Sequence, residues 1–383
     1  MRATRLPLQN LLRINEIKKQ RTSTLLNNGP FLNFKNPGLA YQTPIGCKVA
    51  EKIEKIIDEE HQSIGGLKFK MPGYIKKEIL NFGEEINATF AEKIVNLPKP
   101  MEGYITLITH EMEILDWISK GIISYKALPM RLFFRRDFIR PINYPKGILK
   151  LREFGVQAML SLDRNKEEFN ESLRAYSRLC ENIFNKLKIN FIKIMPQQNR
   201  LTSNTGFDLE YFYRCNEGDN LTILDNKERI KALSLAMGYL YKPKEPLVCI
   251  TDKNNKRISP IIGTYAIGIE RLLYSAFDCS RDEKGFNLPR EIRPFEISLL
   301  EFDDYPFTKE SSEQIYKAIG ENIFFDDRKN IKRVEKSALS DFIGCQRKII
   351  VSKSGIRIKD RNDFINGISF KDIDSVISYL QKN

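Results

Sequence analysis

The chain has 383 residues, 42% hydrophobic and 29% charged, enough apolar content for two or three packed domains and too much for a disordered chain. Lysine and arginine number 62 against 49 acids, a net charge of +13 that favours a polyanionic partner such as nucleic acid. Six cysteines without a C-x-x-C pair and only two histidines, His61 and His110, argue against a zinc site, and no apolar run reaches the length of a bilayer span, so no membrane insertion is expected.

The first 23 residues carry six basic side chains and one acid, Glu16. That composition suits an organellar transit segment and equally a basic first strand and helix. Over residues 49–60, "VAEKIEKIIDEE" places Val49, Ile53, Ile56 and Ile57 on one helical face and carboxylates on the other. Gly65 and Gly66 break this helix, and Leu67 and Phe69 begin an alternating strand. Residues 128–162 alternate as strand, proline-containing loop and strand, the pattern of an antiparallel hairpin with a long loop.

"NKEEFNESLRAYSRLCENIFNKL" is an amphipathic helix with Phe169, Leu173, Tyr176, Cys180, Ile183 and Leu187 on one side. Further on, "IIGTYAIGIERLLYSAFD" sets Leu272, Leu273 and Ala276 at helical spacing from Ile269, with Gly263 and Gly268 on the approach to the helix start. The charged, proline-bearing "CSRDEKGFNLPREIRP" reads as a linker. Beyond it, strands such as "FEISLLE" and "RKIIVSK" alternate with helices such as "KRVEKSALSDFIG", as in a small three-layer α/β domain.

Three elements need one chemistry: a hairpin bearing Arg136, Lys150 and Phe154, a glycine turn with Arg271, and a C-terminal α/β module on a basic chain. An enzyme handling a nucleoside triphosphate needs cations against phosphate oxygens and flat surfaces against adenine. An arginine on a rigid strand gives a fixed fork, and a ring with a guanidinium can clamp a purine from both faces.

In this order the segments resemble the prolyl-tRNA synthetases of the bacterial and mitochondrial kind, within the class II aminoacyl-tRNA synthetases. "GLAYQTPIGCKVAEKIEKIIDEEHQSIGGLKFKMP" resembles motif 1, "THE" at 109–111 with "SYKALP" resembles the family's T-H-E-E and S-Y-K-x-L-P segments, and "FRRDFIRP" with "GILKLREF" resembles motif 2. "GTYAIGIERLLYSAFD" resembles motif 3, and "FFDDRKN" with "ALSDFIGCQRKIIV" resembles the anticodon-binding domain.

The resemblance implies an α+β fold: a class II antiparallel sheet with flanking helices over residues 1–285, then a three-layer α/β anticodon-binding domain over 286–383, with no editing insertion between motifs 2 and 3. It implies ATP and Mg²⁺, ligation of proline to tRNA(Pro), a homodimer through the motif 1 region, and a mitochondrial location, or the cytoplasm if the source is bacterial. Residue by residue, Arg136 falls on the α-phosphate arginine, Phe154 on the ring beneath adenine, and Arg271 on the arginine at adenine's other face. Lys150 falls on a terminal phosphate, and Gly263 and Gly268 on backbone that the nucleotide approaches. Thr109, Glu111 and Glu210 fall on proline contacts and Arg328 and Lys336 on basic positions of the anticodon reader, while magnesium is expected through Glu210 or other acids that the sequence does not place.

The sequence departs from the pattern at Met112, Phe138 and Ala158, where acids are expected, at Leu209, where a histidine is expected, and at Ala266, where a glycine is expected. Two alternatives therefore stand beside the ligase: a catalytically degenerate, RNA-binding or accessory descendant, and a class II synthetase for another small amino acid.

Overall fold

A computed structural model describes residues 1–6, 14–27, 29–82, 94–106, 111–121, 124–196, 206–223, 228–243, 246–320, 322–363 and 367–382. The chain forms two compact units: a larger one of Lys35–Ala40 and Ile53–Ser275, and a smaller one of Met1–Phe34, Tyr41–Lys52 and Ala276–Asn383.

Helix α1 (Pro44–Ser63) contributes residues 53–63 to the larger unit, where Ile53, Ile56 and Ile57 are buried as their spacing predicts. It stops at Gly65, whose φ of +78° suits a residue without Cβ. There follow β1 (Leu67–Lys68), α2 (Glu111–Ser119), β2 (Met130–Ile139), β3 (Glu153–Asp163) and α3 (Lys166–Lys186). Next come β4 (Ile192–Ile194), β5 (Leu209–Ile223), β6 (Glu228–Tyr241), β7 (Ile261–Gly268) and α4 (Ile269–Cys279). The seven strands form one sheet in the order β1-β2-β3-β7-β6-β5-β4. All neighbours are antiparallel except β1 and β2.

The expected hairpin is β2 and β3, paired from Met130 with Leu162 to Ile139 with Glu153. Helix α3 opens on an N-cap, the Asn165 side chain accepting from the Glu168 amide at 2.9 Å, and buries the predicted apolar face from Phe169 to Leu187. The glycine-bearing approach to Ile269 is a strand rather than a turn. β7 lies at the middle of the sheet and passes directly into α4, because Ile261, Ile262, Tyr265 and Ile267 give the segment strand propensity that its glycines do not cancel.

The smaller unit holds a five-stranded sheet, β9-β8-β10-β11-β12, built from β8 (Ile297–Glu301), β9 (Ile323–Asp326), β10 (Arg347–Ser352), β11 (Gly355–Asp360) and β12 (Ile368–Phe370). Strands β8, β9 and β10 are mutually parallel, and β10, β11 and β12 antiparallel. Helices α5 (Pro306–Ile319), α6 (Arg333–Phe342) and α7 (Ile373–Lys382) accompany it. This is the mixed α/β architecture that the alternating pattern predicts.

The segment read as a linker belongs to this unit's core. Phe286 is fully buried, with ring centroids 4.8 Å from Phe277, 5.2 Å from Phe342 and 5.9 Å from Phe31, and Leu288 and Ile292 are buried as well. Its charges mislead because they are paired: Asp282 receives a two-pronged bond from Arg361, at 2.6 and 3.0 Å. The basic start is also built in. The Met1 ammonium donates to the Ile323 carbonyl at 2.8 Å, and Arg2 grips Glu313 at 2.6 and 2.7 Å with its guanidinium over Tyr316 and Phe325.

Candidate active site

Strand register places the site residues before any side chain is considered. Directly opposed residues of neighbouring strands share a face. One row across the larger sheet runs Phe134, Ala158, Ala266, Met237, Glu210; the next runs Arg136, Val156, Gly268; a third pairs Phe138 with Phe154. Over this face lies a cavity of about 310 Å³, whose lining includes Phe154, Gly268 and Arg271 together with Glu111, Arg140 and Glu270.

Glu111, the first residue of α2, is almost wholly buried. Its Oε1 accepts from Thr264 Oγ1 at 2.8 Å and from the Tyr239 hydroxyl at 3.1 Å. Phe207, also lining the cavity, stacks on Tyr239 with centroids 5.0 Å apart. A buried carboxylate beside aromatic rings suits a small cation with an apolar body. Thr109, its expected companion, lies outside the described residues.

Two guanidiniums enter the same cavity. Arg271, on the first turn of α4, donates to the Ser234 carbonyl at 3.1 Å and has exposed Asp219 at 3.8 Å. Arg140, just past the end of β2, donates to the Leu151 carbonyl at 3.1 Å and covers the Phe154 ring at 4.7 Å. Burial, and then the like charge of Arg271, hold the Arg140 guanidinium below its ordinary pKa, and burial does the same to Arg271. Two cations therefore face one partly dry cavity, a setting that favours an anion over a further cation. Arg140 is not among the residues that the family pattern singles out; its sequence signal is an arginine four residues after Arg136, just past the end of the same strand.

Glu270 also lines the cavity. Its carboxylate accepts from the Gly155 amide at 2.9 Å, and burial pushes its pKa up to about 7. Near neutral pH it therefore offsets only part of the charge of its neighbour Arg271.

Arg136 sits on the cavity face of the sheet, but its guanidinium is not part of the lining. It donates to Glu113 Oε2 at 3.0 Å and to the Gly73 carbonyl at 2.7 Å. Lys150 is half-buried in the loop before β3 and does not line the cavity. Gly263 lies on the opposite face: a Cβ there would stand 2.5 Å from the Tyr265 hydroxyl and 2.6 Å from Ser161 Oγ, so this glycine serves packing beneath α3. At Gly268 the backbone is open, a Cβ meeting only Arg271 at 3.9 Å. Glu210, buried on β5, lies beside Met237 but, like Lys150, is not among the residues that line the cavity.

Three of the departures from the family pattern fall in one apolar cluster. Phe138, Ala158 and Met112 are all buried in the same core cluster, so acids at 138 or 158 would be charges without water. In the smaller unit, Arg328 makes a bidentate pair with buried Asp326 at 2.7 and 2.8 Å. Lys336 is itself buried, its ammonium donating to the carbonyls of Glu301 and Asp326.

No protein-family model matches the sequence. The chain is 24% identical to the proline–tRNA ligase of Wolbachia sp. subsp. Drosophila simulans across 83% of this chain and 84% of that one. It is 25% identical to that of Bartonella tribocorum, across 85% and 87%. It is 23% identical to the probable mitochondrial proline–tRNA ligase of Mus musculus, across 80% and 69%. Its fold matches prolyl-tRNA synthetase from Cryptosporidium parvum, solved with halofuginone and AMPPNP, with a TM-score of 0.71 at 16% identity over 96% of this chain and 78% of that one. It also matches the Giardia lamblia enzyme with prolyl-adenylate, at 0.69 and 17% over 93% and 74%. In sequence along more than four fifths of its length and in fold along nearly all of it, the chain is related to the prolyl-tRNA synthetases.

Proposed function

We propose that this chain activates proline with ATP and transfers it to the 3′ end of its tRNA. The observation that carries the reading is a single cavity holding a buried carboxylate, Glu111, and two guanidiniums, Arg140 and Arg271. Glu111, kept in place by Thr264 and Tyr239, takes the secondary ammonium of proline. Phe154 and Arg271 hold adenine beside Arg140, Gly268 leaves room for the nucleotide, and Arg136 and Lys150, which stand outside the cavity lining, take phosphate oxygens that extend past it.

In the first step a proline carboxylate oxygen attacks the α-phosphorus in line, and the bond to pyrophosphate breaks. In the second, the terminal ribose hydroxyl of the tRNA attacks the adenylate carbonyl and AMP departs. Neither step needs a nucleophilic side chain, since rate comes from positioning and from cations that meet charge developing on phosphate oxygens. Magnesium arrives with ATP and needs only one or two carboxylates besides the phosphates. Among the described residues no cluster of three or more metal-ligating side chains is present, and no residue is assigned to the ion.

The α/β module from residue 286 onward reads the anticodon, and α1 with the edge strand β1 forms a homodimer contact. The resemblance to a mitochondrial ligase, at 23% identity over 80% of this chain, supports a mitochondrial location. A second reading, a non-catalytic descendant, is favoured by one observation, the apolar replacement of two expected acids at Phe138 and Ala158. Exchange of labelled pyrophosphate into ATP, run with each amino acid in turn, separates the two. The ligase gives exchange with proline alone; exchange with no amino acid, while tRNA still binds, identifies the descendant.

A further inference from the structure

Resting on that reading of the site, we propose that Glu113 is a positioning residue for Arg136, supplying from α2 the carboxylate that β2 lacks at Phe138. Strand alternation puts residues 136 and 138 on the same face, so an acid at 138 would stand beside the guanidinium. Here that neighbour is the Phe138 ring, 5.2 Å from the guanidinium carbon. A ring face attracts a cation but gives no directional anchor. The anchor comes from Glu113, whose Oε2 receives Nη1 at 3.0 Å, while the Gly73 carbonyl receives Nη2 at 2.7 Å.

Both partners are buried, with 5% and 11% of their side-chain surfaces exposed. A lone buried guanidinium would be costly and free to choose another rotamer, whereas one held at two nitrogens keeps a fixed plane. Among the described residues neither Arg136 Nε nor Glu113 Oε1, both buried, has a hydrogen-bond partner, so the bonds to Glu113 and Gly73 are what fix the plane of the fork. α2 also carries Glu111, so one short helix sets the acid that meets the amine and the acid that aims the phosphate-binding arginine. The sequence pattern counts this position as a loss, because it places the acid on the strand and not on a helix that packs against it.

The test is a double-mutant cycle in proline-dependent pyrophosphate exchange with the full chain. Glu113→Gln preserves shape and loses the charge; it should lower kcat by about 10-fold or more, with KM for ATP moving less than kcat, since misaiming costs the transition state most. Glu113→Asp should recover part of that loss. In an Arg136→Lys background, Glu113→Gln should add less than about 3-fold, because both changes remove the same aimed fork. Wild-type kcat in Glu113→Gln, or two losses that multiply, overturns the proposal. If Glu113→Gln fails a melting control, Glu113→Asp alone decides: a role confined to folding predicts unchanged kcat in the folded protein. Absence of proline-dependent exchange in the wild type would instead remove the reading on which the proposal rests.

Discussion

The guanidinium of Arg140 lies over the ring of Phe154 at 4.7 Å, inside the cavity that also receives Arg271. Phe154 was expected to carry adenine, so a nucleotide must share that ring with Arg140 or displace it, and in either case its phosphates enter a field set by two arginines. Removing a charge-assisted contact costs about 1.5–3 kcal/mol, or about 10- to 100-fold. Arg140→Ala should therefore raise KM for ATP by about that factor with a smaller change in kcat. Arg271→Ala should lower the rate of exchange on the order of 10²-fold without loss of fold, since its helix keeps its buried face. Unchanged KM for ATP in Arg140→Ala would remove this arginine from the nucleotide site.

Glu270 gives the cavity a pH dependence of definite sign. Its pKa in the folded protein is raised to about 7 by burial. The folded state thus holds that proton more tightly than the unfolded chain does, and the associated stability is complete below the ordinary value and lost as pH rises through about 7. Glu270→Gln keeps an oxygen to accept from the Gly155 amide and never ionises. Its melting temperature should match wild type at pH 5 and exceed it by a few degrees at pH 8. A constant offset at every pH would mean that the carboxyl does not titrate in this window.

Gly263 and Gly268 look alike in sequence and differ in structure. A methyl group at 263 would press on the buried Tyr265 hydroxyl and on Ser161, whereas at 268 it meets only Arg271 at 3.9 Å. Gly263→Ala should destabilise the larger unit by about 1–3 kcal/mol, the usual cost of overpacking, with the kinetics of the folded fraction intact. Gly268→Ala should melt like wild type and raise KM for ATP. The reverse pairing, seen by thermal melts and exchange kinetics side by side, would restore Gly263 to the nucleotide site.

These two glycines also mark where the sequence was legible. The period of apolar residues is enough to place α3, the β2–β3 hairpin and the α/β module, because that signal is local. The face on which a residue of β7 lies depends on pairing with β3 and β6, which no local pattern records, so Gly263 was grouped with Gly268. Glu113 escapes a local pattern for the same reason: it reaches Arg136 from another element. The pairing of Asp282 with Arg361 likewise hid a core segment behind a charged composition.

The smaller unit separates stability from RNA recognition at Lys336 and Arg328. Cutting the chain near residue 286 would strip Phe286 and Phe342 from the buried rings of Phe31 and Phe277, so point substitutions are the sound test of the proposed anticodon reader. Lys336 has its ammonium buried against the Glu301 and Asp326 carbonyls, and losing a donor to a buried acceptor costs about 1–3 kcal/mol. Lys336→Met should lower the melting temperature of this unit by several degrees and leave proline-dependent exchange at 25 °C unchanged. Charging of tRNA should fall only as far as the unit unfolds. Arg328 is bound to Asp326 but keeps part of its surface exposed. If that surface meets a phosphate, Arg328→Ala should weaken tRNA binding evenly across anticodons and flatten its salt dependence by about one unit of slope. If it meets a base, the variant should relax choice among anticodons with the slope unchanged. Binding that keeps both its salt slope and its anticodon preference in Arg328→Ala would confine this arginine to holding Asp326.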